Sequence, residues 1–427
     1  MLTFFSYSVF VLGRNCVSSR FVKRNFGMRT ILSRMTAVIL SLCGLLPLSA
    51  QPENRAPVTG DLRFDCYLPL LEGKRVALFS NQTGLAGDRH ILDCLVERQV
   101  NVTAIFSPEH GFRGTADAGA AVSGGIDPVT GIPILSLYGA GGEKRPSAAA
   151  METFDVLLAD IQDVGLRFYT YYITLGNLLD ACGAGGKAVV ILDRPNPNGH
   201  YVDGPVLDMR LKSGVGALPV PVVHGMTLGE LMLMARGEGW LREGNNCELT
   251  VIPCLNYTHG TPYSLPVPPS PNLPDMQSVY LYPSLCPFEG TVVSLGRGTD
   301  KPFRQYGHPA MAARYRYSFV PESRPGATDP PLKGKRCYGV DLSGLSREEI
   351  SAAGLDLRYV IDAYSALKEA GQADGFFRRF FDLLLGQTYV REMIEAGASA
   401  DEIKARWAPD VEAFKALRRP YLLYPEP

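Results

Sequence analysis

The stretch Val156-Leu-Leu-Ala-Asp-Ile-Gln-Asp-Val-Gly-Leu-Arg-Phe-Tyr-Thr-Tyr171 opens on an uninterrupted apolar run and then packs two carboxylates, a guanidinium and three aromatic rings into a few residues. Four consecutive apolar residues, Val156–Ala159, suit a strand covered on both faces, because neither side then needs a polar alternation. The same pattern recurs on either side. Strands are read at Arg75–Phe79, Val102–Phe106 and Pro133–Leu137 before it and at Ala188–Leu192 after it. Arg89–Arg98, Ala148–Phe154 and Tyr169–Cys182 between them read as helices. Short apolar strands alternating with helices imply an α/β fold, a parallel sheet with crossover helices.

The residues just after each strand carry the chemistry. After the first comes Ser80-Asn81-Gln82-Thr83-Gly84, after the second Ser107-Pro108-Glu109-His110-Gly111, after the fourth Asp160-Ile161-Gln162-Asp163, and after the fifth Asp193-Arg194-Pro195-Asn196-Pro197. Open parallel sheets bind ligands at this edge. Three of the four clusters carry carboxylates, so they are expected to converge on one crevice. Glu109, framed by a proline and a glycine, suits a part-desolvated carboxylic acid that protonates a leaving oxygen; its plain alternative is a solvated surface turn. Asp160, Asp163 and Arg167 offer either a sugar-binding cluster or an ion pair capping the next helix. Phe168 and Tyr171 read as core. Asp193 and Asn196 sit in a segment that is either a tight turn or part of the same site.

Beyond Gly204 the texture changes to proline-rich loops and shorter periodic segments, which places a domain boundary there: 1–50 a leader, 51–205 the sheet domain, 206–427 a second domain. Thr227–Gly237 is a helix capped by Thr227, with Glu230 completing a capping box. His224 just before it either meets a ligand or packs on the helix start. Pro266–Pro274 is too proline-rich for a helix or a central strand. Phe288-Glu289-Gly290 and Leu295-Gly296-Arg297-Gly298 are glycine-framed loops in which Arg297 either binds an acidic group or pairs with Glu289 or Asp300. Further helices are expected at Ile350–Ala370, Gly375–Leu385, Arg391–Ala396 and Ala400–Lys415.

The first fifty residues hold six basic and no acidic side chains. Arg29 and Arg34 precede the apolar run Ala37–Leu46 and a small-residue site at Leu48-Ser49-Ala50. This is the pattern of a secretory signal, with Met28 as the more usual start, and it implies export to the periplasm or beyond. The run is too short for a membrane span. With 42 basic against 43 acidic residues overall, the chain after the leader is acidic, which disfavours nucleic-acid binding. Its seven cysteines lack any CxxC pair and give neither a disulfide framework nor a zinc site, though Cys247 and Cys254 are close enough in sequence to pair. No GxGxxG, GxxxxGK[ST], GxSxG or HExxH motif is present, so no nucleotide, cofactor or metal is implied.

Taken together, SPEHGFRG, DIQDVGLRFYTY, LDRPNPNGH, HGMTLGEL, PSPNLP and FEGTVVSLGRGTDKPF resemble, in order and spacing, the NamZ family of exo-β-N-acetylmuramidases (glycoside hydrolase family 171) from about Gly60 onward. The resemblance implies a Rossmann-like domain without a nucleotide, a smaller α/β (α+β) auxiliary domain, and an active site in the cleft between them. It implies release of N-acetylmuramic acid from non-reducing ends of peptidoglycan fragments, with Glu109 catalytic. The second catalytic group is expected among Asp163, Asp160 and Glu289, with Asp163 preferred. Substrate contacts are expected from His110, Asn81, Asp160, Arg167, Tyr169, Asp193, Asn196, His224, Glu289 and Arg297, with Arg167 and Arg297 facing the lactyl carboxylate. His200 stands where the family commonly has a second glycine. Two alternatives remain, a muropeptide-binding protein without turnover and a metal-dependent hydrolase using Asp160, Asp163 and His224.

Overall fold

The computed structural model describes residues 9–12, 16–19, 55–108, 112, 125–137 and 145–427. Six strands, β1 (Val76–Ser80), β2 (Val102–Ser107), β3 (Pro133–Ser136), β4 (Val156–Asp160), β5 (Ala188–Leu192) and β6 (Leu249–Ile252), run parallel in the order β6-β5-β4-β1-β2-β3. This is the doubly wound order, and it reverses between β1 and β4, where Ser80 stands opposite Asp160. Gly125–Ile126 adds an antiparallel edge beside β3. No helix among the described residues is long and apolar enough to cross a membrane.

Alternation along β1 shows why the strands read as continuously apolar. Val76 and Leu78 point into one core with Tyr67, Leu71, Ile91 and Leu95, from the helices Phe64–Leu71 and Ile91–Glu97. Ala77 and Phe79 point to the other face, where Leu175 and Leu178 of the helix Tyr171–Ala184 and Leu231 of Leu228–Gly237 cover them. The capping box at Thr227 and Glu230 forms as the sequence predicts.

The sheet needs a strand from beyond the expected boundary at residue 205. β6 pairs with β5 over Val189↔Leu249 to Leu192↔Ile252, so a cut at 205/206 would strip the sheet of that strand. The second unit begins near the helix Met276–Leu285 and holds the three-stranded antiparallel sheet of Gln305–His308, Tyr317–Phe319 and Cys337–Asp341. Its expected helix over Ile350–Ala370 is two helices, Arg347–Ala353 and Arg358–Glu369, broken at Gly354, whose φ of 65° a helix cannot continue. Pro266–Pro274 is irregular, as its prolines require. Leu357, Trp407 and Phe414 of the second unit belong to the same apolar core as Phe79, so the two units are joined by an apolar interface.

Residues 418–426 return to the first unit. Glu230 Oε1 accepts from the backbone N–H of Leu423 at 2.7 Å, and the Tyr424 hydroxyl donates to Asp193 Oδ2 at 2.6 Å. Cys94, Cys182, Cys247, Cys254, Cys286 and Cys337 form no disulfide. Cys247 and Cys254 therefore do not pair; their thiols face the carbonyls of Lys187 and Asp193.

Candidate functional site

The carboxyl edge of the sheet gathers the polar residues that the sequence pointed to, but it seals them into the scaffold. Arg194 grips Asp160 with both ends of its fork, Nε to Oδ1 at 2.7 Å and Nη2 to Oδ2 at 2.9 Å, and lies 3.3 Å from Asp61. All three side chains are buried, and burial with the nearby Asp160 charge raises Asp61 to about 6. Asn81 turns its carboxamide oxygen to Thr83 and its NH₂ to the Tyr171 hydroxyl. Asp193 accepts from Thr227 Oγ1, the Gly229 N–H and Tyr424, which anchors a helix N-terminus; burial raises it to about 6. Asn196 bridges the Met226 carbonyl and the Asn198 N–H. His224 accepts from the Met226 N–H through Nδ1, and burial first, then Arg418, lowers it to about 3.

Arg167 is a correction of the same kind. It is fully buried, and its guanidinium donates to the carbonyls of Pro205, Val220 and Leu384, tying the two units together rather than facing a ligand. Asp163 accepts from the Gly165 N–H at 2.6 Å. Gly165 has a φ of +77°, and a Cβ there would lie 2.2 Å from the Asn196 side chain, so the turn admits only glycine. Burial raises Asp163 to about 7. None of these residues lines the cavity between the two units. Glu109 and His110 lie outside the described residues.

That cavity, of about 420 Å³, is within the range of about 300–1,000 Å³ usual for small-molecule sites. The first unit contributes Tyr169, Tyr171 and Asn272, and the second Tyr282, Glu289 and Arg297. Asn81 reaches this wall through Tyr171, and the Tyr169 hydroxyl donates to Pro269 at 2.8 Å, so the end of β1 and the proline-rich loop brace one aromatic face. Edge-to-face contacts continue through Phe168, Tyr282 and Phe303. Glu289 Oε1 pairs with Arg297 Nη2 at 2.5 Å. Phe303 on the cavity wall has a φ of +54°, a strained backbone for an aromatic residue and a feature that concentrates at ligand sites.

Residues 76–277 match the family model for the N-terminal domain of exo-beta-N-acetylmuramidase NamZ, and residues 280–424 that for its C-terminal domain. The chain belongs to the NamZ family. The junction of the two NamZ models falls within the helix Met276–Leu285, and the cavity draws its walls from both sides of it. The peptidoglycan beta-N-acetylmuramidase NamZ of Bacillus subtilis (strain 168) is 34% identical over 375 residues, 84% of this chain and 89% of that protein. Two crystal structures of DUF1343-family proteins from Bacteroides fragilis NCTC 9343 share the fold. One is 58% identical with a TM-score of 0.81, covering 87% of this chain and all of that one; the other is 28% identical with a TM-score of 0.73, covering 86% and 99%.

Among the described residues of this NamZ-family chain, no three His, Cys, Asp or Glu side chains are grouped to hold a metal ion, so Asp160, Asp163 and His224 do not assemble the metal site the sequence allowed. Sequence reasoning missed Arg378, which also lines the cavity. The signal was present in Phe376-Phe377-Arg378-Arg379-Phe380, where arginines sit among aromatic residues, but it was absorbed into the helix expected over Gly375–Leu385, which in the structure begins only at Arg379.

Proposed function

We propose that this protein is an exo-acting β-N-acetylmuramidase that releases N-acetylmuramic acid from the non-reducing end of peptidoglycan fragments, in cell-wall turnover outside the cytoplasm. The observation that carries the reading is the inter-unit cavity of a NamZ-family chain, walled by aromatic rings and bearing a carboxylate, Glu289. Aromatic faces suit pyranose rings, and a glycosidase needs an acid for the leaving oxygen and a second carboxylate beside the anomeric carbon. Glu109 takes the first role in this reading. Glu289 takes the second in place of Asp163, because it lines the cavity and Asp163 does not. The basic, then apolar leader of residues 1–50 supports export; the amino terminus of protein recovered from the periplasm would then lie near residue 51.

A chromogenic β-N-acetylmuraminide assayed beside the matching glucosaminide tests the activity. Turnover of the muraminide is expected, and Glu109→Gln lowers kcat by about 10²–10⁴-fold while the thermal midpoint stays near wild type. A variant keeping more than about a tenth of the rate would move the acid to another carboxylate.

A further inference from the structure

The cavity carries three charged side chains among the described residues, and they are not equivalent. Glu289 and Arg297 neutralise each other at 2.5 Å, and the Arg297 guanidinium also lies 5.6 Å from the centre of the Phe303 ring. Arg378 lines the same cavity, is exposed at its mouth, and makes no side-chain hydrogen bond or ion pair among the described residues. Its backbone is nevertheless fixed in place. Its backbone N–H donates to the Gly290 carbonyl at 2.8 Å, and Thr291 bridges Phe377. A Cβ on Gly290 would lie 2.2 Å from the Phe381 nitrogen, so only glycine lets the two segments meet this closely. The same contact thus sets Glu289, one residue before Gly290, and the unpaired guanidinium on opposite segments of one clamp. Phe380, 36% exposed, stands beside it on the rim.

Among the described residues, two guanidiniums against one carboxylate leave this wall with one positive charge that no described side chain offsets. A neutral amino sugar does not answer that charge. A sugar bearing one carboxylate does. We infer that Arg378 is a specificity-determining residue that pairs with the 3-O-lactyl carboxylate of the muramic acid unit, with Phe380 covering the neighbouring apolar face. The inference rests on the muramidase reading for the identity of the sugar, and it replaces Arg167, which is committed to three carbonyls, and Arg297, which is committed to Glu289. Arg378 therefore distinguishes a free lactyl acid from one whose carboxyl group is tied up as an amide.

Two readouts separate this inference from the activity itself. In the first, calorimetry measures N-acetylmuramic acid, its lactyl methylamide and N-acetylglucosamine binding to wild type, Arg378→Met and Arg378→Lys. In the second, kcat/KM is measured for the chromogenic muraminide and its lactyl amide. For the free acid, Arg378→Met is expected to weaken binding and kcat/KM about three- to thirty-fold, a range set by an exposed charge-assisted contact, with the amide nearly unchanged. Arg378→Lys recovers part of the loss, and added salt narrows the wild-type preference for the acid. Equal losses on acid and amide, or none on either, overturn the inference and leave the muramidase reading standing. Arg378-dependent binding of the acid without turnover of any muraminide overturns that reading and leaves the inference standing. Absence of both binding and turnover removes the two together.

Discussion

The carboxyl edge of the sheet and the cavity between the units are both dense in charge, but they satisfy it differently. At the sheet edge Asp160 is gripped by Arg194, Asp193 caps a helix, and Arg167 serves three carbonyls; these groups face one another and are closed to solvent. In the cavity Glu289 and Arg297 pair with side chains reaching an open volume, and Arg378 pairs with no side chain among the described residues. Among the described residues, a carboxylate at a strand end does not by itself mark a ligand site: Asp160, Asp163 and Asp193 all turn inward. Charge that borders accessible space without full compensation is the better guide.

On this contrast, changes at the sheet edge move stability and changes in the cavity move catalysis. The largest effect is expected at Arg194. Arg194→Met leaves Asp61 and Asp160 buried side by side without their cation, costing about 3–5 kcal/mol and lowering the thermal midpoint on the order of 10 °C. Calorimetric melting checks this; a midpoint within a degree or two of wild type would show the edge to be open to water.

Next comes Glu289→Gln, which removes the cavity's carboxylate while keeping its shape. We expect kcat to fall about 10²–10³-fold with only a modest change in melting, since an electrostatic partner of the transition state is lost while Arg297, left without its carboxylate, still reaches solvent with its side chain 23% exposed. A variant that melts early yet turns over normally would place Glu289 among the scaffold residues.

A third effect is read through pH. Burial raises the folded-state value of Asp163 from 3.8 to about 7, so between these values the folded protein holds a proton that the unfolded chain has released. Its contribution to stability therefore falls as pH rises from about 4 to about 7 and is flat beyond. Denaturant titrations across this window should show a flatter profile for Asp163→Asn than for wild type. Asp61 and Asp193, raised to about 6, act in the same direction in both proteins and cancel in the difference. An unchanged profile would mean that Asp163 is solvated.

Much of the sheet was legible because buried parallel strands are apolar on both faces, which leaves uninterrupted runs such as Val156–Ala159. β6 escaped for a physical reason: Thr250 interrupts Leu249–Ile252, so no uninterrupted apolar run marks the strand. The helix Met276–Leu285 was hidden by Pro283 inside it, and the division at Gly354 by the periodicity on either side. At the site, Tyr169, Glu289 and Arg297 stood out in the sequence and do line the cavity. Asn81, Asp160, Asp163, Arg167, Asp193, Asn196 and His224 stood out for residue type at a strand or loop end, and sequence cannot say whether such a group meets a ligand or a neighbouring carbonyl. Arg378 lies in a segment whose role comes from a backbone contact with Gly290, far away in the chain.

The return of residues 418–426 to the first unit makes completion of the fold wait for the end of the chain. Glu230 and Asp193 complete their hydrogen bonding only with Leu423 and Tyr424, and Arg418 donates to the His224 carbonyl at 3.3 Å. A chain exported as proposed, having passed the membrane only as far as Ile252, has delivered the whole parallel sheet but not the groups that close its polar seams, nor Ile394, Ile403 and Trp407 of the same core. Protection of the sheet's amides against hydrogen exchange should therefore be low in a chain ending at residue 417 and full only in one that reaches residue 424.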